Sequence, residues 1–153
     1  MLYLEESILL PLKSAVEQSS DECCGFLFGL DMGEYRIISA ILEVENEAFD
    51  RRRTFRISPR NYLRAENFAT YHDMRLLGIY HSHPNSPAVP SEFDRVCAHP
   101  YFSYIIFSVF NNKVADFRSW NLNENSQFEE ESLAVLKINQ DVYGYRNHPY
   151  PAA

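Results

Sequence analysis

The chain has 153 residues, of which 46% are hydrophobic and 23% charged, with 11 Phe, 10 Tyr and one Trp. That is the size of one globular domain able to bury roughly 70% of the surface its unfolded chain exposes, which excludes a multidomain enzyme and a disordered chain. With 21 acidic against 14 basic residues the formal net charge is −7, which excludes a whole-protein footprint for nucleic acid.

Leu2 to Leu4 reads as a short first strand. Residues from about Ile8 to Ser19 follow a helical pattern, with Pro11 confined to the first turn, where a missing N–H matters least. Cys23 to Leu30 is a compact apolar run and reads as a buried strand. Asp31 and Gly33 mark a turn, and Glu34 to Val44 pairs back as a hairpin. Residues 45–53 are polar and irregular, hence a loop, and Thr54 to Ile57 reads as a brief strand. Ser58-Pro59 starts a helix, with Ser as N-cap and Pro at the first helical position, running to about Asp73. Leu76 to His83 is a strand stopped by Pro84. Three prolines make 84–90 a loop, and Ser91 to about His99 a short helix. Phe102 to Phe110 and Val114 to Leu122 are strands joined by Asn111-Asn112-Lys113, a hairpin signal. Gln127 to Asn139 stays open between helix and strand. Hairpins mixed with helices point to one α/β domain with a mixed sheet.

The chemistry concentrates in His81-Ser82-His83-Pro84 and Ser91-Glu92-Phe93-Asp94. Side chains on a strand alternate, so His81 and His83 share a face, with Cα atoms about 6.5–7 Å apart, and both imidazoles can reach one metal ion. Asp94, in the first turn of the next helix, can supply a third ligand. Two His and a carboxylate with an open position form a catalytic zinc set. Each half also has a plain reading: Ser91 and Asp94 match a helix N-cap, and a His-x-His pair is often surface. Capping and catalysis are compatible at Ser91. Hydrolysis also needs a base, and Glu22 is the best-placed acid, where a helix gives way to a buried strand and partial desolvation raises a carboxyl pKa. The alternative for Glu22 is an exposed connector.

An upstream Glu, then His-Ser-His-Pro, then Ser-x-x-Asp with Ser91 eight residues beyond His83, resembles the motif of the JAMM (JAB1/MPN+) zinc metallopeptidases. The segments D-E-C-C-G-F-L-F-G at 21–29, Asn46, T-F-R-I at 54–57 and G-I-Y-H-S-H-P at 78–84 are similar to its small prokaryotic subgroup. The resemblance implies a three-layer, cytidine-deaminase-like α/β domain with a mixed, curved sheet. It implies one Zn2+ held by His81, His83 and Asp94, with Glu22 as general base and Ser91 stabilising an oxyanion. It also implies peptidase or isopeptidase action after the C-terminal Gly-Gly of a ubiquitin-like sulfur-carrier protein. The expected organisation is a single domain over 1–153, with a catalytic core of about 2–122 and a C-terminal extension over 123–153. Competing readings are a non-catalytic MPN scaffold, or a JAMM peptidase of phage tail assembly or DNA repair. Against the first stands the intact five-residue set; the second usually carries a further domain for which this length leaves no room. The deubiquitinating relatives carry insertions with a second zinc segment, which this sequence lacks.

Six arginines (Arg51, Arg52, Arg53, Arg56, Arg60 and Arg64) fall in 51–64 with no acid among them. They are either a solvated loop and helix face or a basic rim that docks an acidic partner; Arg51, Arg52 and Arg53 are the candidates for substrate contact. Asn46 joins them through the resemblance alone, as a residue that steadies the loop. Cys23 and Cys24 read as core, and Cys97 as packing on its helix. Three cysteines, two of them adjacent, suit a reducing compartment, and no leader or membrane-length apolar run is read, so a cytoplasmic protein is expected. His72, His99 and His148 have no partners at ligand spacing, and Tyr80, beside His81, should face the core.

Overall fold

Apolar side chains on alternate positions of a strand reach both faces of a sheet, and here both faces are covered. The computed structural model describes residues 1–137. Its elements are β1 (Leu2–Glu5), α1 (Glu6–Glu17), β2 (Cys24–Asp31), β3 (Arg36–Val44), α2 (Pro59–Tyr71), β4 (Arg75–Pro84), α3 (Glu92–Cys97), β5 (Ser103–Phe110), β6 (Lys113–Leu122), β7 (Phe128–Glu131) and β8 (Leu133–Leu136). The strands form one mixed sheet in the order β7-β6-β5-β4-β2-β3-β1-β8. β7 and β8 are separated by Ser132 alone, yet they stand at opposite ends of that order. The sheet must therefore curl until its two edges nearly meet.

The curl gives the faces different companions. Leu12 and Val16 of α1 pack with Leu2, Leu27, Ile38, Tyr80, Ile105 and Phe107. α1 touches β1 and β3 on one limb and β5 and β6 on the other, which places it on the concave side. Ala65 and Ala69 of α2 pack on the other face with Cys24, Phe26, Phe28, Ile79 and Tyr104. Helix, sheet and helix make three layers, as the resemblance implied. Alternation along β2 sends Phe26 and Phe28 toward α2 and Leu27 toward α1. Gly25 is where the β2 backbone meets Tyr80: a Cβ there would lie 2.4 Å from the Tyr80 ring and 2.6 Å from the Leu42 carbonyl oxygen.

Several boundaries differ from the sequence reading. α1 begins at Glu6, so Pro11 lies inside the helix rather than in its first turn. Pro11 and Ser7 are both exposed, so the Ser7 carbonyl that a proline cannot serve faces water. Thr54 to Ile57 is not a strand of the sheet; it is an extended segment held by the Asn46 side chain and by one bond from the Glu47 N–H to the Arg56 carbonyl (2.9 Å). The open segment from Gln127 resolves into β7, antiparallel to β6, and β8, parallel to β1. Its last two residues, Ile138 and Asn139, and His148 lie outside the described residues. Ser58 caps α2 with Pro59 first in the helix, as the sequence indicates. Asn111 and Asn112 form the β5–β6 turn with φ of 51° and 59°, the left-handed region that such a hairpin demands. Among the described residues no helix is long and apolar enough to cross a membrane.

Candidate functional site

The C-terminal end of β4 carries His81 and His83 out on the α2 side of the sheet. His81 pairs in register with Cys24 on β2 and with Ile106 on β5, so the strand is fixed on both edges. Cys23 and Ser82 close the gap beyond that register. The Ser82 N–H donates to the Cys23 carbonyl at 3.0 Å, and the Ser82 hydroxyl accepts from the Cys23 N–H at 2.8 Å. The residue between the two histidines thus ties their strand to the segment that carries Glu22.

Asp94 comes from the other direction. Ser91 and Asp94 form a full capping box at the start of α3: Ser91 Oγ accepts from the Asp94 N–H (3.1 Å), and Asp94 Oδ2 accepts from the Ser91 N–H (2.8 Å). The cap therefore fixes the carboxylate. The same Oδ2 lies 3.3 Å from Nε2 of His81 and 3.3 Å from Nε2 of His83, and the two Nε2 atoms are 3.0 Å apart. Ligand atoms about 2.0–2.1 Å from a tetrahedral ion stand roughly 3.3 Å from one another. The buried trio His81, His83 and Asp94 could therefore hold a metal ion with little adjustment.

Each imidazole is aimed differently. His83 Nδ1 lies 2.9 Å from the Pro87 carbonyl, which can only accept, so Nδ1 carries the proton and Nε2 offers its lone pair. The 84–90 loop that supplies this carbonyl is pinned along its length. The Ser108 hydroxyl donates to the Ser86 carbonyl (2.6 Å), and the Trp120 indole N–H donates to the Ala88 carbonyl (3.0 Å). His81 has no such partner for Nδ1 among the described residues. Its fully buried ring instead stacks on Phe55, centroids 4.4 Å apart and planes 28° from parallel. Phe55, Ser108 and Trp120 were not singled out by the sequence reading; nothing local links position 120 to the loop it anchors.

Electrostatics follow from burial. Desolvation pushes the Glu22 carboxyl up to about 8, opposed by the charge of His83 and reinforced by Asp94. Glu22 is 6% exposed and its Oε2 has no partner among the described residues, so it is no exposed connector. Burial lowers His81 and keeps it neutral, as a metal ligand must be. Burial also opposes ionisation of Asp94, but the two histidines and the Ser91 N–H outweigh it and hold the carboxyl well below its usual range.

A cavity of about 470 Å³ opens beside this centre, lined among others by Glu22, Arg52, Arg53, His83, Val89 and Ser91. Ser91 is exposed there with its hydroxyl hydrogen uncommitted to the cap, because the cap uses the oxygen as acceptor. Asn46 and Arg51 do not line it. Asn46 is buried, and its amide donates to the carbonyls of Glu22 and Thr54 (both 2.9 Å) and accepts from the N–H groups of Ala48 (3.0 Å) and Arg56 (3.1 Å). It is a clasp between the Glu22 segment and the 46–56 loop. Arg60 and Arg64 are exposed on α2, away from the cavity. Cys24 is core, as expected, whereas Cys23 is only half-buried at the edge of the core rather than within it. Cys97 is exposed, because α3 buries Asp94 alone and packs little else. Tyr80 is fully buried in the concave core.

Comparison with known proteins agrees with this geometry. A desampylase of Pyrococcus furiosus is 28% identical over 141 residues, covering 88% of this chain and 90% of that protein. The solution structure of a protein from Desulfitobacterium hafniense superposes with a TM-score of 0.80 at 25% identity, covering 92% of this chain and 97% of the other. A JAB1/MPN domain protein from Archaeoglobus fulgidus shares the fold with a TM-score of 0.57 at 18% identity, covering 88% of this chain and 98% of the other. Residues 8–123 match the family of prokaryotic homologs of the JAB domain, a span that includes every residue of the centre, and the chain belongs to that family.

Proposed function

We propose that the protein is a zinc-dependent peptidase or isopeptidase that hydrolyses the bond after the C-terminal Gly-Gly of a ubiquitin-like sulfur-carrier protein. The observation that carries this reading is three buried ligand atoms at tetrahedral spacing, on His81, His83 and Asp94, beside a cavity that His83 lines together with the buried Glu22, whose Oε2 has no partner among the described residues. The name of the Pyrococcus relative, desampylase, supports a ubiquitin-like modifier as the carrier. The complete donor set speaks against a scaffold without chemistry.

The residues divide the work. His81, His83 and Asp94 would hold the zinc, whose chemistry is Lewis acidity and a lowered pKa for an attacking water. Glu22 takes the proton of that water and passes it to the departing amine; its burial makes it a stronger base than an exposed glutamate. The Ser91 hydroxyl, already oriented by the cap, donates toward the oxygen that gains charge as the scissile carbonyl becomes tetrahedral. Of the three candidate arginines, Arg52 and Arg53 form a basic rim that meets the substrate, and Arg51, paired with Glu45 outside the cavity, flanks it. Asn46 serves it by holding the rim against Glu22.

Metal content and turnover test this together. The purified protein should carry about one zinc per chain and cleave a carrier protein extended beyond Gly-Gly. Glu22→Gln should keep the metal and lose on the order of 10²–10⁴-fold in kcat, as removal of a general base does. A Glu22→Gln protein that cleaves like the wild type would sink the mechanism.

A further inference from the structure

We propose that Arg52 and Arg53 bind a free carboxylate on the departing side of the cut bond. The favoured substrate is then a carrier tail with a short linear extension, rather than one joined to a lysine side chain of a folded protein. The proposal rests on the hydrolase reading above and adds the chemistry of the leaving group.

Size comes first. A cavity of about 470 Å³ is of the small-ligand class, within the roughly 300–1,000 Å³ of such sites. It takes a residue or a short peptide, not a protein surface. Charge comes second. Apart from Glu22 and His83, which belong to the reacting centre, the charged side chains lining it are Arg52 and Arg53, and the rest of its wall is Ser, Pro, Asn and Val. Two guanidinium groups beside a buried acid are matched to an incoming anion. A planar fork pairs best with a carboxylate, to which it can donate two parallel hydrogen bonds.

Availability comes third. Arg51 does not line the cavity and pairs with Glu45 at 3.5 Å. Among the described residues Arg53 pairs only with Asp50, at 4.0 Å with both side chains exposed, a pair weak enough to exchange. Arg52 has no ion-pair partner among the described residues. Placement comes last. The Glu22 N–H donates to the Arg51 carbonyl at 2.7 Å, and Asn46 bridges the carbonyls of Glu22 and Thr54. The backbone on both sides of Arg52 and Arg53 is thereby bound to the segment carrying Glu22, so the stems of the two arginines are anchored beside the base while their guanidiniums stay free to reach a ligand.

Every linear extension ends in one carboxylate; a lysine linked through its side chain offers none at that point. The carboxylate takes no part in the bond change. Water adds to the carbonyl carbon, the C–N bond breaks, and the amine leaves with the proton while its carboxylate stays in the arginine fork.

The test uses the zinc-loaded full chain and two carrier tails identical except at the end: one residue beyond Gly-Gly with a free carboxylate, or the same residue as its amide. The wild type should favour the acid at least tenfold in kcat/KM, chiefly through KM, with the preference shrinking as salt rises. In Arg52→Gln/Arg53→Gln, with metal content verified, the acid-to-amide ratio should fall to about one. A wild-type ratio near one, or a ratio that survives the double substitution, overturns the proposal. If neither tail is cut, the hydrolase reading fails by itself. Binding of the two tails to the zinc-loaded protein then still decides the inference: equal affinities overturn it, and a preference for the acid lost in the double variant upholds it.

Discussion

His81 and His83 differ by two positions in the chain and share a face, yet their rings are held by unlike forces. At Nδ1, a carbonyl fixes His83 through a hydrogen bond, whereas His81 has no Nδ1 partner among the described residues and is backed by an aromatic plane. A stacked ring can rotate in its plane at lower cost than a hydrogen-bonded one, so His81 depends on the volume of Phe55. Phe55→Ala should therefore weaken zinc binding by about 10–100-fold, the range seen when groups that orient ligands are removed. Phe55→Tyr, which keeps the plane, should restore most of it. Competition with a chelator of known affinity measures both. Equal affinity in wild type and Phe55→Ala would mean that the strand alone orients His81. Glu22 belongs to the same scale: its strength as a base depends on a burial that raises its carboxyl pKa, which the position in the sequence leaves undecided.

At the scale of elements, the loop between β3 and α2 has no strand or helix of its own, yet it carries the arginines and Phe55 to the site. Asn46 gives it shape by doing for the loop what a partner strand would do: it satisfies backbone donors and acceptors at Glu22, Ala48, Thr54 and Arg56. Removing the amide leaves buried polar groups without partners, each worth about 1–3 kcal/mol. Asn46→Ala should lose about 3 kcal/mol of stability in denaturant titrations, and zinc affinity should fall with it because Phe55 is released. A stable variant with intact affinity would show that the loop is held elsewhere. The expected strand at Thr54–Ile57 failed for the same reason: its backbone is held by the Asn46 side chain and a single bond from Glu47, not by a neighbouring ladder. The loop at 84–90 was legible from its prolines, but its fixation by Ser108 and Trp120 was not.

At the scale of the molecule, two buried carboxyls of opposite tendency make the metal-free protein sensitive to pH. Glu22 has a folded pKa of about 8 against an ordinary value of 4.5, so the folded state holds a proton that the unfolded state has lost. Its effect is a loss of stability as pH rises from about 4.5 through 8. Asp94 is depressed, and its contribution is present above its ordinary value of 3.8 and lost as pH falls through the lower folded value. The metal-free protein should therefore be more stable near pH 5 than near pH 8.5, by thermal melts at matched ionic strength. Glu22→Gln should flatten that slope; a slope unchanged in the variant would place the linkage elsewhere.

The sequence by itself determined what local rules determine. Period-two alternation put both imidazoles on one face. Ser-Pro and Ser-x-x-Asp placed two helix starts, and Asn-Asn placed a hairpin turn. The spacing from His83 to Asp94 was enough to assemble a ligand set and a family resemblance. Only the tertiary structure decided the curl of the sheet, the place of the segment after 122 within it, the desolvation of Glu22, and which arginines reach the cavity. These are long-range facts. Burial and closure depend on what packs from distant parts of the chain, and a single line of residues carries no record of its own neighbours in space. Asn46 stands between the two kinds: the resemblance pointed to it, and the structure supplied the four backbone groups, at Glu22, Ala48, Thr54 and Arg56, that it holds.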